Sequence, residues 1–295
     1  MANRHISTGL KMPHQKRGFT LIELLVVVCI FSLLISMMLP VLATARQASR
    51  QCRDMSNLRQ IMLGYTQHSI DQNGKFLYGY SPGSVNGKVV EILHDNRMYG
   101  PPVVNRYPWR LSPYISDVWD VIYSHSGSPE EPQSGDNDQE AFLKAYILSV
   151  SPSFGINSVY VGGHHSPFYK AFINKGVTTI PNTGGHVVFR DIEVHQPSSL
   201  ITFTEAQRQG GGITANDTGH FWATPPNAAG AMWKAENKNW EAINTSRVIG
   251  LPKGRYFKET ITAFLDCHIK TMNANELMDM SLWANQAKDN TYDIP

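Results

Sequence analysis

The chain has 295 residues, with 26 basic and 24 acidic side chains and a formal net charge of +2. This length allows a helix plus one sizeable globular domain or two small ones. The near-neutral balance lacks the basic footprint of nucleic-acid-binding proteins, so we expect no nucleic-acid partner. Three cysteines, Cys29, Cys52 and Cys267, are too few for a disulfide framework and have no zinc-site spacing. The sequence therefore predicts no metal and no cofactor.

The first 18 residues form a basic leader. They contain no acidic residue, and glycine and proline residues disfavour a continuous helix. The four cations are Arg4, Lys11, Lys16 and Arg17. We interpret residues 1–18 as a leader peptide and not as a domain.

Residues 19–42 form one long apolar segment. Its sequence, FTLIELLVVVCIFSLLISMMLPVL, contains few polar residues apart from Thr20 and Glu23. At about 1.5 Å per residue, a helix of this length crosses a bilayer core of about 30 Å. The pattern predicts a transmembrane helix.

An ordinary secretory signal peptide is the alternative, with Ala43-Thr44-Ala45 as its cleavage site. The apolar cores of signal peptides usually contain about 7–15 residues, fewer than this segment has. Glu23 is also unexpected in such a core, because a charged side chain inside a bilayer is costly and is presumed to have a functional partner.

Residues 16–23, Lys-Arg-Gly-Phe-Thr-Leu-Ile-Glu, resemble the processing site of type IV prepilins and type II secretion pseudopilins. The resemblance implies that a prepilin peptidase/methyltransferase cuts between Gly18 and Phe19 and methylates the Phe19 amine. It also implies that Glu23 pairs with the Phe19 amine of a neighbouring subunit during assembly. Pro40 lies where many pilin helices carry a proline that loosens the helix.

The second half of the predicted helix, residues 43–73, has two faces. Small and apolar residues recur every three or four positions and should pack on a globular domain. This stripe comprises Ala45, Ala48, Cys52, Met55, Leu58, Met62 and Tyr65. Arg46, Arg50 and Arg53 lie along another face, where they contact lipid headgroups or other subunits, or are simply solvated. Residues 71–74, Asp-Gln-Asn-Gly, predict the end of the helix.

A narrower resemblance extends to about residue 76. Cys52, the segment 56–61 and the turn at 74–76 are similar to large pseudopilin-like proteins of planctomycetes and verrucomicrobia. Many of those proteins have an Asp-Gly-His motif near their end, and the matching residues here are Asp266, Cys267 and His268. Cys267 replaces the glycine, which puts in doubt both the tight turn and any family role of its neighbours. A disulfide between Cys52 and Cys267 is an alternative to two buried thiols.

Residues 76–295 are expected to form a globular domain. The first part, to about residue 140, is rich in Pro, Gly, Asn and Ser and predicts loops and short elements. Patterns of β-branched and alternating residues predict strands at 184–195, 200–205 and 260–272, and a spacing of three predicts a C-terminal helix at 275–287. The predicted class is α+β and pilin-like, with the long N-terminal helix packed on an antiparallel sheet.

Three polar clusters in this domain are candidates for chemistry. Asp191, Glu193 and His195 would share one face of a strand, either as a metal site or as a solvated surface. His164 and His165 form a weak motif after two glycines. The run of glycines at 210–212 is typical of a flexible connector. The sequence contains neither a H-E-x-x-H metalloprotease motif nor a P-loop, and a Ser/His/Asp triad cannot be read from scattered residues, so we expect no enzyme activity.

Tryptophans form another candidate site. Trp222, Trp233 and Trp240 are interleaved with Asn and Lys, and exposed aromatic rings can stack on sugars or on a protein partner. Burial in the core is the alternative.

Two main functions follow from these patterns. The first is a structural pilin or pseudopilin subunit in a filament, with inner-membrane lipid and other such subunits as partners, a single membrane pass and a periplasmic domain. The second is a membrane-tethered periplasmic module that binds a ligand such as polysaccharide. An exported enzyme with a cleaved signal peptide is a third alternative.

Overall fold

The computed structural model describes residues 19–85, 87–94, 96–123, 130–164, 187–209, 219–228, 231–237, 239–243 and 248–292. The leader, residues 1–18, lies outside these ranges, as do His165 and the glycines at 210–212. The chain divides into two compact units, residues 1–48 and 49–295. The second half of the first helix therefore belongs mostly to the globular unit.

Helix α1 runs from Leu21 to Asp71 and is continuous through Pro40. It ends where the sequence predicts. Asn73 and Gly74 have positive φ angles of 55° and 78°, and the Gly74 N–H donates to the Ser69 carbonyl at 2.8 Å. This arrangement pairs a carbonyl of the last turn that the helix itself leaves unpaired.

The globular unit buries one face of the second half of α1. Leu58, Ile61, Met62 and Tyr65 are at most 1% exposed, which confirms the predicted packing stripe from Met55 onward. Ala45 and Cys52 are exposed, so the upper part of the predicted stripe is wrong. The first fully buried residue on this face of α1 is instead Asp54, which is 0% exposed and lies one helical turn before Leu58.

The segment after α1 contains short elements, as predicted. Its strands form two small hairpins, β1 (Ser84–Val85) with β2 (Lys88–Val89) and β3 (Ile92–His94) with β4 (Arg97–Tyr99). Its helices are α2 (Tyr107–Leu111), α3 (Val118–Ile122) and α4 (Asp138–Val150), preceded by a 3-10 turn at Val103–Asn105. Several of its aromatic residues are buried, with Trp109 and Trp119 rings 4.9 Å apart.

The central sheet is antiparallel and is built around β6 (Ile201–Gln209). Strands β10 (Thr260–Phe264) and β5 (Phe154–Ile156) both pair with the first part of β6, and β11 (Ile269–Met272) pairs with β10. Strand β9 (Ile249–Pro252) pairs with Ala206–Gln209 of β6. A separate hairpin joins β7 (Trp233–Glu236) and β8 (Asn239–Ala242). A long helix with antiparallel sheets confirms the α+β class.

The strand prediction is confirmed for β6. The single strand predicted at 260–272 is instead two strands, β10 and β11, joined by a turn. The prediction is wrong at 187–195, and residues 184–186 lie outside the described residues. Residues 187–190 form only isolated bridges, and Asp191–Glu193 is a 3-10 turn. The Glu193 carboxylate accepts the N–H groups of Phe189 and Arg190 at 2.6 and 3.2 Å. These bonds fold the backbone back on itself and end the extended conformation.

The predicted C-terminal helix is also wrong. The segment contains two 3-10 turns, Glu276–Met278 and Met280–Leu282. Leu277, Met280 and Trp283 are fully buried, so their spacing correctly indicates a buried stripe. A repeat of three residues is the period of a 3-10 helix, whereas an α-helix repeats at 3.6.

Cys267 occupies the turn between β10 and β11 with a φ of 70°. The turn is retained despite the cysteine: the Phe264 N–H donates to the His268 carbonyl at 3.0 Å, and the Cys267 N–H donates to the Phe264 carbonyl at 2.9 Å. A residue with a Cβ is strained in this left-handed conformation, while glycine is not.

We expect Cys267→Gly to be more stable than Cys267→Ala by about 1 kcal/mol. Both variants lose the thiol, so the difference isolates the backbone conformation. Urea unfolding of the detergent-solubilised protein, followed by tryptophan fluorescence, measures both. Equal midpoints would show that the turn relaxes to a negative φ.

Candidate functional site

The start of α1 is closed by a hydrogen-bonded capping box. The Thr20 backbone N–H and hydroxyl donate to the Glu23 carboxylate at 2.9 and 2.8 Å. In return, the Glu23 N–H donates to the Thr20 hydroxyl oxygen at 3.3 Å. This reciprocal pattern pairs N–H groups that the first helical turn leaves without a partner. Glu23 is therefore held by its own helix within a single chain.

The segment that follows is apolar around its whole circumference. Large side chains such as Leu21, Met37 and Val41 are 87%, 68% and 68% exposed. Among the described residues, α1 is the one helix whose length and composition suit a membrane span, and its most apolar stretch has no buried residue. A helix of this kind is unstable in water and requires lipid or other helices around it.

A family model described as the prokaryotic N-terminal methylation motif matches residues 13–39. The match covers the basic end of the leader, the Gly18–Phe19 junction, Glu23 and most of the apolar segment. The chain has a prepilin-type N-terminus. Neither the curated proteins nor the solved structures include a match to the chain.

The residues of the prepilin-type site lie around the start of α1. Phe19 is 73% exposed and comes directly before the capping box. Glu23 is exposed as well, and Gly18 lies outside the described residues. The structure therefore gives the geometry around Glu23, whereas cleavage and methylation at the Gly18–Phe19 junction remain predictions.

The tryptophans do not form an exposed aromatic surface. Trp233 is 1% exposed and its indole N–H donates to the Thr224 carbonyl at 2.7 Å. Trp222 and Trp240 are half-buried, with Trp222 packed edge-on against the His220 ring at 4.8 Å. Trp233 is part of the core because its strand packs inward. The polar residues near it in the sequence did not indicate this burial.

The predicted polar clusters have local structural roles. Asp191 lies beside Gly74 at the end of α1, and Glu193 accepts backbone N–H groups. The backbone N–H of His195 donates to Asn285 at 2.8 Å. His164 is fully buried. The expectation that these residues share a strand face is wrong, because Asp191–Glu193 is a turn whose carboxylates accept backbone N–H groups. The alternative of a metal site on such a face loses its basis.

Cys52 and Cys267 are free thiols in the structure. The Cys267 sulfur lies 3.5 Å from the Thr66 hydroxyl, and Thr66 follows Cys52 by 14 positions, or about 21 Å along a helix. A disulfide requires Cα atoms within about 7 Å. The alternative, a Cys52–Cys267 disulfide, is therefore not formed in this structure.

Asp266 and His268 form a pair within the β10–β11 turn. The Asp266 carboxylate contacts the His268 Nδ1 atom at 2.6 Å and accepts the His268 backbone N–H at 3.1 Å. The His268 ring also stacks on Phe264 at 4.2 Å. These contacts stabilise the turn, and they give this motif a structural role in place of the doubtful family role.

A buried group of charged residues was not predicted from the sequence. The Tyr256 hydroxyl donates to the Asp54 carboxylate at 2.5 Å, which joins α1 to the loop before β10. Nearby Glu205 is 0% exposed; it accepts the Ile261 N–H at 2.9 Å and lies 3.9 Å from Arg255. The spacing of Asp54 from Leu58 and Ile61 did place it on the buried face, but nothing local indicated Glu205.

Burial raises the pKa of Glu205 to about 7, although Arg255 and the Ile261 N–H lower it. In the unfolded chain the value returns to the ordinary 4.5. The folded protein therefore holds an additional proton between these values. The contribution of Glu205 to the folding stability is therefore fully present below pH 4.5, and it is lost as the pH rises through about 7.

We expect Glu205→Gln to gain stability relative to the parent as the pH rises from 5 to 8, by on the order of 2 kcal/mol. Glutamine keeps an acceptor for the Ile261 N–H and does not titrate. Urea unfolding at several pH values measures the difference. If the difference in unfolding free energy between variant and parent is the same at pH 5 and pH 8, the raised pKa of Glu205 is contradicted.

Proposed function

We propose that this protein is a structural subunit of a pseudopilus or type IV pilus-like filament. It is processed after Gly18, methylated at Phe19 and assembled through α1. The observation that carries the proposal is the methylation motif at 13–39 on a helix whose apolar side chains are exposed. Such motifs are typical of structural pilin-type proteins, and the proposal assigns no catalysis to the chain.

The capping box defines what Glu23 contributes to assembly. Within one chain the carboxylate already accepts two hydrogen bonds from Thr20, but these leave its negative charge uncompensated. In a bundle of helices inside the membrane, that charge favours a cation. The positive amine of a neighbouring, processed Phe19 supplies one, so Glu23 fixes the register between adjacent subunits.

We also propose a cytoplasmic leader and a periplasmic globular unit. The single apolar helix fits an inner-membrane anchor with one pass. Charge counts do not decide the orientation, because four leader cations are balanced by Arg46, Arg50, Arg53 and Arg59 on the other side. The methylation motif supports this orientation, since its peptidase acts on cytoplasmic leaders.

The second hypothesis, a tethered polysaccharide-binding module, loses its main support. Burial of Trp233 and half-burial of Trp222 and Trp240 leave little aromatic surface for stacking on sugars. The large exposed area of α1 instead favours helix-to-helix assembly. The particular filament or secretion system, and the narrower resemblance to planctomycete and verrucomicrobial proteins, are not needed for this proposal.

The mature protein should begin at Phe19 with a methylated amine. N-terminal sequencing and mass spectrometry of membrane-extracted protein check this. Gly18→Val should block processing and leave insertion intact, because the apolar segment is unchanged. A mature protein that starts at Arg46 would instead establish an ordinary signal peptide.

A set of variants separates the charge of Glu23 from its capping role. Glu23→Gln keeps an acceptor for the Thr20 N–H and removes the charge, and Thr20→Val removes the hydroxyl bonds and keeps the charge. We expect Glu23→Gln and Glu23→Leu to insert and fold normally but fail to crosslink to neighbours or enter filaments. Thr20→Val should still assemble.

Crosslinking and electron microscopy of membranes from each strain provide the measurement. The fold of the globular unit is checked by its unfolding midpoint, which none of the variants should change. If Glu23→Gln assembles and Thr20→Val does not, the carboxylate acts as a helix cap and not as a partner of the amine.

A further inference from the structure

Residues 219–224 pass very close to three neighbouring backbone segments. Ile156 exchanges backbone hydrogen bonds with Phe221 and Ala223 at 3.1 and 2.9 Å. On the other side, the Thr224 N–H donates to the Gly250 carbonyl at 2.8 Å. A Cβ on Gly250 would lie 1.7 Å from the Trp222 oxygen. The position of His220 is therefore fixed by its backbone.

This arrangement places His220 and Arg208 on the same face of the sheet. Gln207 of β6 forms an antiparallel bridge with Gly219, so Ala206 lies opposite His220 and Arg208 shares their face. Gly250 is the partner of Arg208 in β9, and a Cβ there would be 3.0 Å from the His220 ring. The absence of a side chain at Gly250 leaves room for the ring beside Arg208.

The buried nitrogen atoms of this pair lack well-formed hydrogen bonds among the described residues. His220 is 2% exposed, and neither of its ring nitrogens has a hydrogen bond of good geometry within the described part of the chain, although the Val150 carbonyl lies close to the ring. The Nε atom of the half-buried Arg208 is likewise buried and unbonded among these residues. Unpaired buried polar atoms cost about 1–3 kcal/mol each, more when they are charged.

A second buried cation, Arg106, lies nearby. It is 7% exposed, and its guanidinium carbon lies 5.2 Å from the centre of the Phe221 ring, which is itself 4.9 Å from the His220 ring. Two of its nitrogens bond to neutral acceptors, including the Ser149 hydroxyl at 2.8 Å. Its Nε atom has no partner in the described structure.

The electrostatic balance of this cluster is positive. Within the described residues, no carboxylate forms an ion pair with Arg106 or Arg208. Burial, together with the positive charges of Arg208 and Arg106, lowers the pKa of His220 to about 3, and the nearby Val150 carbonyl opposes this shift. The ring is therefore neutral at pH 7 and offers one N–H donor beside two cations.

We infer that Arg208 and His220, supported by the charge of Arg106, bind a small oxyanion. The guanidinium group has a planar set of donors that matches the oxygens of phosphate, sulfate or a carboxylate. An anion here would pair the open nitrogens and relieve the repulsion between the two arginines. This site belongs to the globular unit and does not depend on filament assembly.

Inorganic phosphate is the probe for the test. The full-length protein in detergent is heated at pH 7 with increasing phosphate, and sodium chloride keeps the ionic strength constant. Saturable binding to the folded state should raise the melting temperature by several degrees. A parallel titration with acetate tests whether a carboxylate can replace phosphate.

Arg208→Met is the decisive variant, because methionine keeps an apolar stem and removes the charge. It should melt higher than the parent without phosphate, since one of two repelling cations is gone. It should also weaken the apparent phosphate affinity about tenfold or more. The control is Arg59→Met, an exposed arginine on α1, which should retain the parent's phosphate response.

Two results would overturn the inference. One is a parent protein whose melting temperature does not respond to phosphate or acetate beyond the chloride control. The other is an Arg208→Met protein that melts lower than the parent in the absence of phosphate. That outcome would mean that the chain's own groups already compensate the arginine.

Discussion

The packing of the second half of α1 against the sheet is the interaction on which the globular unit depends. The Tyr65 ring lies between Phe76 and Phe203, at 5.9 and 5.6 Å from their ring centres. Residues 201–206 of β6 are buried throughout, so this strand needs cover on both faces. Each large apolar side chain buried in this way contributes about 1.5–3 kcal/mol. The helix thus provides the surface on which the sheet assembles.

The two parts of α1 illustrate how one secondary structure serves two environments. In the first part, apolar side chains surround the axis and are exposed, which suits a lipid phase or a bundle of similar helices. In the second part, the buried apolar residues lie along one face and most of the exposed residues are polar, with Leu63 and Ile70 as exposed exceptions. Both parts have the same helical backbone, apart from the hydrogen-bond donor that Pro40 lacks, and the side chains suit them to different environments.

Buried charge is handled in two contrasting ways in the globular unit. Asp54 and Glu205 have polar partners contributed by Tyr256, Ile261 and Arg255. Such networks contribute little net stability but disfavour alternative packings, because any misplacement leaves a charge without a partner. The arginines near His220 have no such compensation in the described residues, and that imbalance distinguishes a binding site from a structural ion pair.

The sequence by itself determined the features that depend on local patterns. The apolar segment, the Glu23 position, the helix end at Gly74, strand β6 and the extended character of β10 and β11 all follow from residues close together in the chain. Tertiary structure decided the rest. The Tyr256–Asp54 bond joins residues 202 positions apart, and Trp233 is buried by the way its hairpin packs. The turn at Asp191–Glu193 and the C-terminal 3-10 turns form because side chains and neighbouring segments satisfy their backbone groups. Local propensity contains no information about such partners, since they meet only when the chain has folded.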